Sequence, residues 1–294
     1  MADIDKIVKA LQASVPGLSV GKAEGSALEV RDWVKMPELE GILGVPGFPC
    51  GLVTMLYGKR DSSKTTCATT AMISCQRDGG VSILLDTEHK YDMKRASAMG
   101  LVDPMIVRAD TIEDAFEKFL LVIKHLREVE KFDGKICCVW DSLGATPSRA
   151  EMNEDVKDFS MTAAKIIKGW LRKLLYYIRE SKVAFIIVNQ VYSKPVTFGK
   201  TTTTYGGSGP TYHSAIMLEF TQIGRVRPKK AKTTQDFAGI KALVECTKNH
   251  LAQPFKKIEL LVDWKGYAVG RDVEYVPDEI KAKYVPIAED GDVE

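Results

Sequence analysis

The sequence predicts an α/β fold: a twisted, mainly parallel sheet flanked by helices, with an antiparallel extension. Three observations carry that reading. Apolar runs at 52–57, 81–85, 136–140 and 183–188 lack the alternation of half-exposed strands, so they read as strands buried on both faces. Two long helical patterns lie between them, as crossovers joining parallel strands require. The last runs, 215–220, 241–247 and 257–262, follow one another without long helices, as antiparallel strands do.

Residues 3 to 13 place Ile4, Ile7, Val8 and Leu11 on one helical face, and a Gly- and Pro-punctuated stretch follows to about residue 50. Such an arm either folds back on its own core or docks on a neighbour, and the spacing leaves both open. Thr111 with Asp114 opens the first long helix as a cap, and Ile112, Ala115, Phe116, Phe119, Leu120, Ile123 and Leu126 form its stripe. The second repeats that spacing with Ala163, Ile166, Ile167, Trp170, Leu171, Leu174, Leu175 and Ile178.

With 294 residues, 45% of them hydrophobic and 27% charged, the chain can bury a large core, which excludes a disordered, collagen-like or disulfide-stapled protein. The apolar run 183–188 is far short of the roughly 20 residues that cross a bilayer. The start, Met1-Ala2-Asp3-Ile4, lacks the pattern of a secretory signal, so a cytoplasmic protein with no membrane partner is expected. The six cysteines contain no Cys-x-x-Cys pair and read as buried, reduced thiols. A net charge of +2 neither demands nor excludes nucleic acid, but Arg225, Arg227, Lys229, Lys230 and Lys232 crowd one segment. Glu289, Asp290, Asp292 and Glu294 make the last residues acidic.

The chemistry concentrates after the run at 52–57. Gly58-Lys59-Arg60-Asp61-Ser62-Ser63-Lys64-Thr65-Thr66 fits the Walker A phosphate loop, Gly-x-x-x-x-Gly-Lys-Thr, with Ser63 in place of the second glycine. Such a loop turns backbone N–H groups toward phosphate oxygens at a helix N-terminus. Lys64 is expected to neutralise the β- and γ-phosphates of ATP, and the Thr65 hydroxyl to ligate Mg2+. Asp141 ends the apolar run 136–140, where a carboxylate would position that ion. Glu88 lies just beyond the run at 81–85, placed to take a proton from an in-line water.

These elements together resemble the core of the RecA family of recombinases. The segment from Tyr57 through Glu88, His89 and Asp92 carries the likeness, as do Asp141-Ser142, Ile186 to Gln190, Thr202 to Gly207 and Lys248 to Phe255. The likeness covers about residues 40 to 270. It implies a RecA-type P-loop ATPase core at 36–270, an N-terminal helical arm and linker for oligomerisation at 1–35, and a short C-terminal segment with an acidic tail at 271–294. Phage recombinases of the UvsX type also tolerate a non-glycine before the loop lysine. The chain therefore looks like a divergent, UvsX-like member from a bacterial cell or a phage-infected host.

The resemblance implies further roles. Gln190 matches the γ-phosphate sensor at the start of a second DNA-binding loop, about 191 to 211, with Lys194, Phe198, Gly206 and Gly207. Gly and Thr there can donate hydrogen bonds to phosphates, and Phe198 either wedges between bases or anchors the loop. A first DNA-binding loop falls near 148 to 162 and includes Arg149, while Lys165 and Arg172 match positions that meet the DNA backbone or are plain polar-face residues. Asp92 matches an adenine-contacting acid, and Arg95 stands where the family has a tyrosine, as a cation to stack on the base. Lys248 and His250 match two lysines that reach the γ-phosphate held by the adjacent subunit. An imidazole in place of ammonium makes charge at that point depend on pH near neutrality.

The implied function is an ATP-dependent recombinase, a helical filament on single-stranded DNA that pairs with and exchanges strands with homologous double-stranded DNA. Hydrolysis of ATP would be DNA-stimulated, with single-strand-binding and loader proteins as helpers. Duplex capture is expected to fall to the basic run at 225–232, to fall to a helper protein, or to be weak, since little sequence follows the core. The alternatives are a ring helicase of the same fold and a weakly hydrolysing mediator or DNA-binding module, the second favoured by Ser63.

Overall fold

The sheet is assembled around the strand that carries the phosphate loop. The computed structural model describes residues 14, 30, 32–153, 159–193, 202–228, 237–268 and 273–276. The chain divides into two compact units, Met1–Arg31 and Asp32–Glu294. The expected arm helix, Lys194, Phe198, Lys229, Lys230, Lys232 and the acidic tail lie outside the described residues.

Strand β1 (Trp33–Lys35), helix α1 (Glu40–Leu43) and strand β2 (Gly47–Pro49) come first, with β1 and β2 paired antiparallel. Then follow β3 (Val53–Gly58), α2 (Lys64–Arg77), β4 (Val81–Asp86), α3 (Met93–Met99), β5 (Met105–Arg108), α4 (Ile112–Lys124) and β6 (Ile136–Asp141). The second half contains α5 (Arg149–Asn153), α6 (Phe159–Glu180), β7 (Val183–Ser193), β8 (Thr202–Thr204) and α7 (Ser208–His213). It closes with β9 (Ser214–Pro228), β10 (Gly239–Asn249), β11 (Lys257–Asp263), β12 (Gly266–Tyr267) and β13 (Val273–Val276).

Among the described residues the strand order is β12-β11-β10-β9-β3-β7-β6-β4-β5, with β13 paired to β9 and β8 to β7. Strands β9, β3, β7, β6, β4 and β5 are mutually parallel. Beyond β9, strands β10, β11 and β12 are antiparallel. The fold is therefore the large, mostly parallel sheet with an antiparallel end that the sequence predicts. Parallel order brings the C-terminal ends of β3, β4, β6 and β7 to one edge, where ligands of open α/β sheets bind.

Both faces of the central strands β3, β4, β6 and β7 are buried, which is why they read as continuous apolar runs. On one face Leu56, Leu84, Val139 and Ile186 pack with Ala68, Ala71 and Met72 of α2. On the other, Met55, Ile83, Trp140 and Ile187 meet Phe116 and Phe119 of α4 and Leu171 and Leu174 of α6. Phe116 joins the layers, edge-on to Trp140 at 4.8 Å and stacked on Trp170 at 5.4 Å. Thr111 caps α4 as expected, accepting from the Asp114 amide at 3.2 Å. The helical stripe reaches Leu126 through a π-helical turn, His125–Val129, pinned by Arg127, whose Nη2 donates to Ser181 O at 2.5 Å. All six cysteines are buried free thiols.

Two differences from the sequence reading bear on the site. The open loop expected at 191–211 is in its described part a hairpin and a helix: β7 continues to Ser193, Thr202–Thr204 pairs against it, and α7 occupies Ser208–His213. β-branched threonines suit such a strand. Strand β5 at Met105–Arg108, helix α3 and the β1–β2 pair were not anticipated. Each is short, and β5 is an edge strand whose side chains are largely exposed, so it has no buried apolar run to read.

Candidate functional site

The phosphate loop leaves β3 at Gly58, whose φ of 152° only glycine adopts readily, and a Cβ there would lie 2.2 Å from Phe220 O. The loop then turns through two left-handed residues, Asp61 (φ 56°) and Ser63 (φ 74°), and Ser63 is the N-cap of α2. Glycine is the residue for such a position, so Ser63 holds unfavourable backbone geometry of about 1 kcal/mol. Its hydroxyl is buried without a hydrogen-bond partner among the described residues. Lys64 is buried and folded back on the loop, donating to Lys59 O and, at 3.2 Å, to Ser62 Oγ. Burial pulls its pKa down to about 8, against the opposing pull of Asp141, Asp61 and Glu88.

The next side chains come from the neighbouring strand ends. Thr65 Oγ1 donates to Asp141 Oδ2 at 2.8 Å, joining the start of α2 to the end of β6. Burial raises the Asp141 pKa to about 6, with the Thr65 hydrogen bond pulling down and the Glu88 charge pushing up. Glu88 follows β4. Its Oε1 accepts from Ser142 Oγ and, at 3.5 Å, from Gln190 Nε2 on β7. Lys64, Thr65, Glu88, Asp141 and Gln190 thus converge from the start of α2, the loop after β4, the end of β6 and β7, separated by up to 126 residues of sequence.

Two clefts share Thr65. The smaller, about 180 Å3, is lined by Asp86, Glu88, Tyr91, Asp92 and Asp141 with it. The larger, about 420 Å3, runs along Asp61 to Thr66 to Arg95, Gly239, Ile240, Asp263 and Trp264. Asp92 caps α3 by accepting from the Arg95 amide at 2.9 Å. The Arg95 side chain turns into the large cleft. Its Nη2 donates to Thr66 Oγ1 at 2.8 Å and Asp263 O at 3.3 Å, and its Nε donates to Trp264 O at 3.2 Å. The guanidinium lies 5.9 Å from the Trp264 ring centre. Trp264 is half exposed, and sequence reasoning missed it. Its signal was an aromatic residue at a Lys-Gly turn between strands.

Lys248 and His250 line neither cleft. Lys248 pairs with Met217, which is level with Met55 on β3, whereas Gly58 is level with Phe220. Three residues of strand, about 10 Å, therefore separate Lys248 from the start of its own phosphate loop. Its Nζ donates to Thr211 O at 2.8 Å and Tyr212 O at 3.2 Å, the C-terminal carbonyls of α7. Asn249 anchors the pair, donating to Leu43 O and accepting from the Leu251 and Ala252 amides. Burial lowers the His250 pKa and the neighbouring Lys248 charge lowers it further, so the imidazole charges below its ordinary range rather than around neutrality.

Part of the expected DNA-binding set comes together. Gly206 and Gly207 have φ of 84° and 67° and lie against α6, with positions for a Cβ 3.1 Å from Ile167 and from Ala164 respectively. Lys165 and Arg172 are exposed on that helix, and Lys168, which was not singled out, shares their face at helical spacing. Asn189 ties this region to the edge that carries Gln190, donating to Tyr205 O at 2.9 Å. Arg149 is engaged elsewhere, as a bidentate partner of Glu117 on α4 at 3.0 and 2.6 Å. Arg225 lies over the Phe237 ring at 4.8 Å.

The RecA N-terminal domain family matches residues 18–267. Similar proteins include Protein RecA of Francisella philomiragia subsp. philomiragia, 30% identical over 297 residues that span 96% of this chain and 78% of that protein. Protein RecA of Francisella tularensis subsp. novicida is 29% identical over 297 residues, 96% of this chain and 79% of that protein. The match spans the phosphate loop, the clustered carboxylates and the glycine turn alike, and the chain belongs to the RecA family.

Proposed function

We propose that this chain is an ATP-dependent DNA recombinase that forms helical filaments on single-stranded DNA and promotes pairing and strand exchange with homologous duplex, acting in the cytoplasm as a divergent, UvsX-like type. The observation that carries the reading is the convergence of Lys64, Thr65, Glu88, Asp141 and Gln190 at one sheet edge, in a member of this family. Lys64 exchanges its loop partners for phosphate oxygens, with the backbone of Gly58 to Thr66 (Lys59, Arg60, Asp61, Ser62 and Ser63 included) around them. Glu88 accepts the proton of an in-line water, and Gln190 reports the γ-phosphate to the glycine turn through Asn189 and Tyr205. Arg95 and Trp264 hold the base, with Asp92 beside them. The donor set fits Mg2+, because the Thr65 hydroxyl and the Asp141 carboxylate are hard oxygen ligands side by side. When bound, Mg2+ offsets phosphate charge.

Lys248 and His250 serve the γ-phosphate of an adjacent copy, since the strand register holds them away from their own loop. Lys165, Arg172, Gly206 and Gly207 contact the DNA backbone, with Arg149, Lys194 and Phe198 as further members of that surface; single-strand-binding and loader proteins assist assembly. Electron microscopy on single-stranded DNA with ATP tests this, together with joint-molecule formation with a homologous duplex. Helical filaments and ATP-dependent joint molecules are expected. Rings, or filaments that never yield joint molecules, would refute the recombinase.

A further inference from the structure

We infer that Ser142 is a positioning residue for the Glu88 carboxylate, fixing which of its oxygens faces water. The inference rests on the proposed role of Glu88 as the water-activating base. Ser142 follows Asp141 at the end of β6 and is 2% exposed. Its Oγ donates to Glu88 Oε1, the same oxygen that receives Gln190 Nε2. With both donors on Oε1, Oε2 is the oxygen that can take a water proton.

The frame holding Ser142 is rigid and polar. The Ser142 carbonyl accepts from Thr87 Oγ1 at 3.1 Å and Thr146 Oγ1 at 2.9 Å. Thr87 Oγ1 also lies 2.7 Å from Thr146 Oγ1 and accepts from Trp140 Nε1 at 3.2 Å. Thr87, which precedes Glu88, sends its amide to Asp141 O at 3.3 Å. All of these side chains are buried. A satisfied buried network of this kind fixes one geometry. The network uses the Ser142 carbonyl and not its hydroxyl. The hydroxyl is therefore spare for folding, and Glu88 is what it holds.

The test is steady-state ATP hydrolysis by the full chain with saturating single-stranded DNA, comparing wild type, Ser142→Ala, Glu88→Asp and the double variant. Ser142→Ala should lower kcat on the order of tenfold, as misplacement of a reacting group does, with KM for ATP and the melting temperature little changed. In the Glu88→Asp background, where the shorter carboxylate no longer reaches the hydroxyl, the same change should alter kcat by about twofold or less. Should alanine at 142 compromise folding, Ser142→Cys, a weak donor of similar size, is expected to give the same kcat loss without it. Wild-type kcat in Ser142→Ala, an equal loss in both backgrounds, or a loss that tracks melting temperature would each overturn the inference. A wild type that never turns over would instead contradict the reading of Glu88 itself.

Discussion

Thr65 Oγ1 and Asp141 Oδ2 meet at 2.8 Å although 76 residues separate them. The contact exists because β3 and β6 are parallel and end at the same edge of the sheet, one strand apart. It welds the first turn of α2 to a partly buried carboxylate whose pKa is lifted to about 6. A divalent cation entering there would replace a hydroxyl proton contact with its own charge, which is the arrangement a metal-dependent phosphate site needs.

Ser63 makes the first prediction. Its left-handed backbone and orphaned buried hydroxyl both disfavour the folded loop, while glycine would widen the unfolded ensemble. Ser63→Gly should stabilise the nucleotide-free protein by about 1 kcal/mol in denaturant titration and raise kcat for ATP. Unchanged stability and rate would mean the loop already tolerates serine.

Lys64 sets a pH dependence. Its folded pKa, about 8, lies below the unfolded 10.5, so between those values the unfolded chain binds more protons and stability rises with pH. Relative to Lys64→Met, wild type should gain at most about 3 kcal/mol across that window, a limit lowered by any loop hydrogen bonds kept. The difference between the two proteins isolates Lys64 from buried thiols such as Cys50, pushed up to about 12, which act oppositely. A pH-independent difference would contradict the burial of an ammonium.

Arg95 and Trp264 separate base binding from phosphate binding. With the cation and ring proposed to hold the base, Arg95→Ala should weaken ATP on the order of tenfold and leave inorganic tripolyphosphate unaffected. Trp264 fluorescence should respond to ATP and not to tripolyphosphate. Equal losses for both ligands would place Arg95 on the phosphates through Thr66.

His250 gives a second pH test. The lowered pKa moves charging of the imidazole to the acid side of an ordinary histidine. The DNA-stimulated rate of His250→Lys relative to wild type should stay level above about pH 7 and fall toward pH 5.5 as the wild-type side chain gains its proton. Parallel profiles across the range would remove His250 from the transition state.

The elements that build the sheet were legible because burial on both faces leaves its mark residue by residue. Leu56, Leu84 and Val139 face one layer, and Met55, Ile83 and Trp140 the other, so the runs do not alternate with exposed polar residues, and the polar Thr54 and Ser82 within them are themselves buried. The edge that carries the phosphate loop was legible for a related reason: Gly58 and Asp141 end strands, Glu88 lies two residues beyond one, and Gln190, inside β7, is level with Gly58. What stayed hidden depends on distance across the fold. Thr87 joins Ser142 and Thr146 across 55 and 59 residues of chain, and no spacing rule ties it to them. Trp264 reaches the cleft only because β11 turns back there. Arg149 read as part of a DNA-binding loop, and its partner Glu117 belongs to a different helix.

The most direct measurement is steady-state ATP hydrolysis with and without single-stranded DNA, for wild type and Glu88→Gln. Stimulation by DNA in wild type, lost by a factor of about 100 or more in Glu88→Gln while nucleotide still binds, is the predicted result. Nucleotide binding without turnover in either protein, or turnover that Glu88→Gln leaves intact, would contradict it.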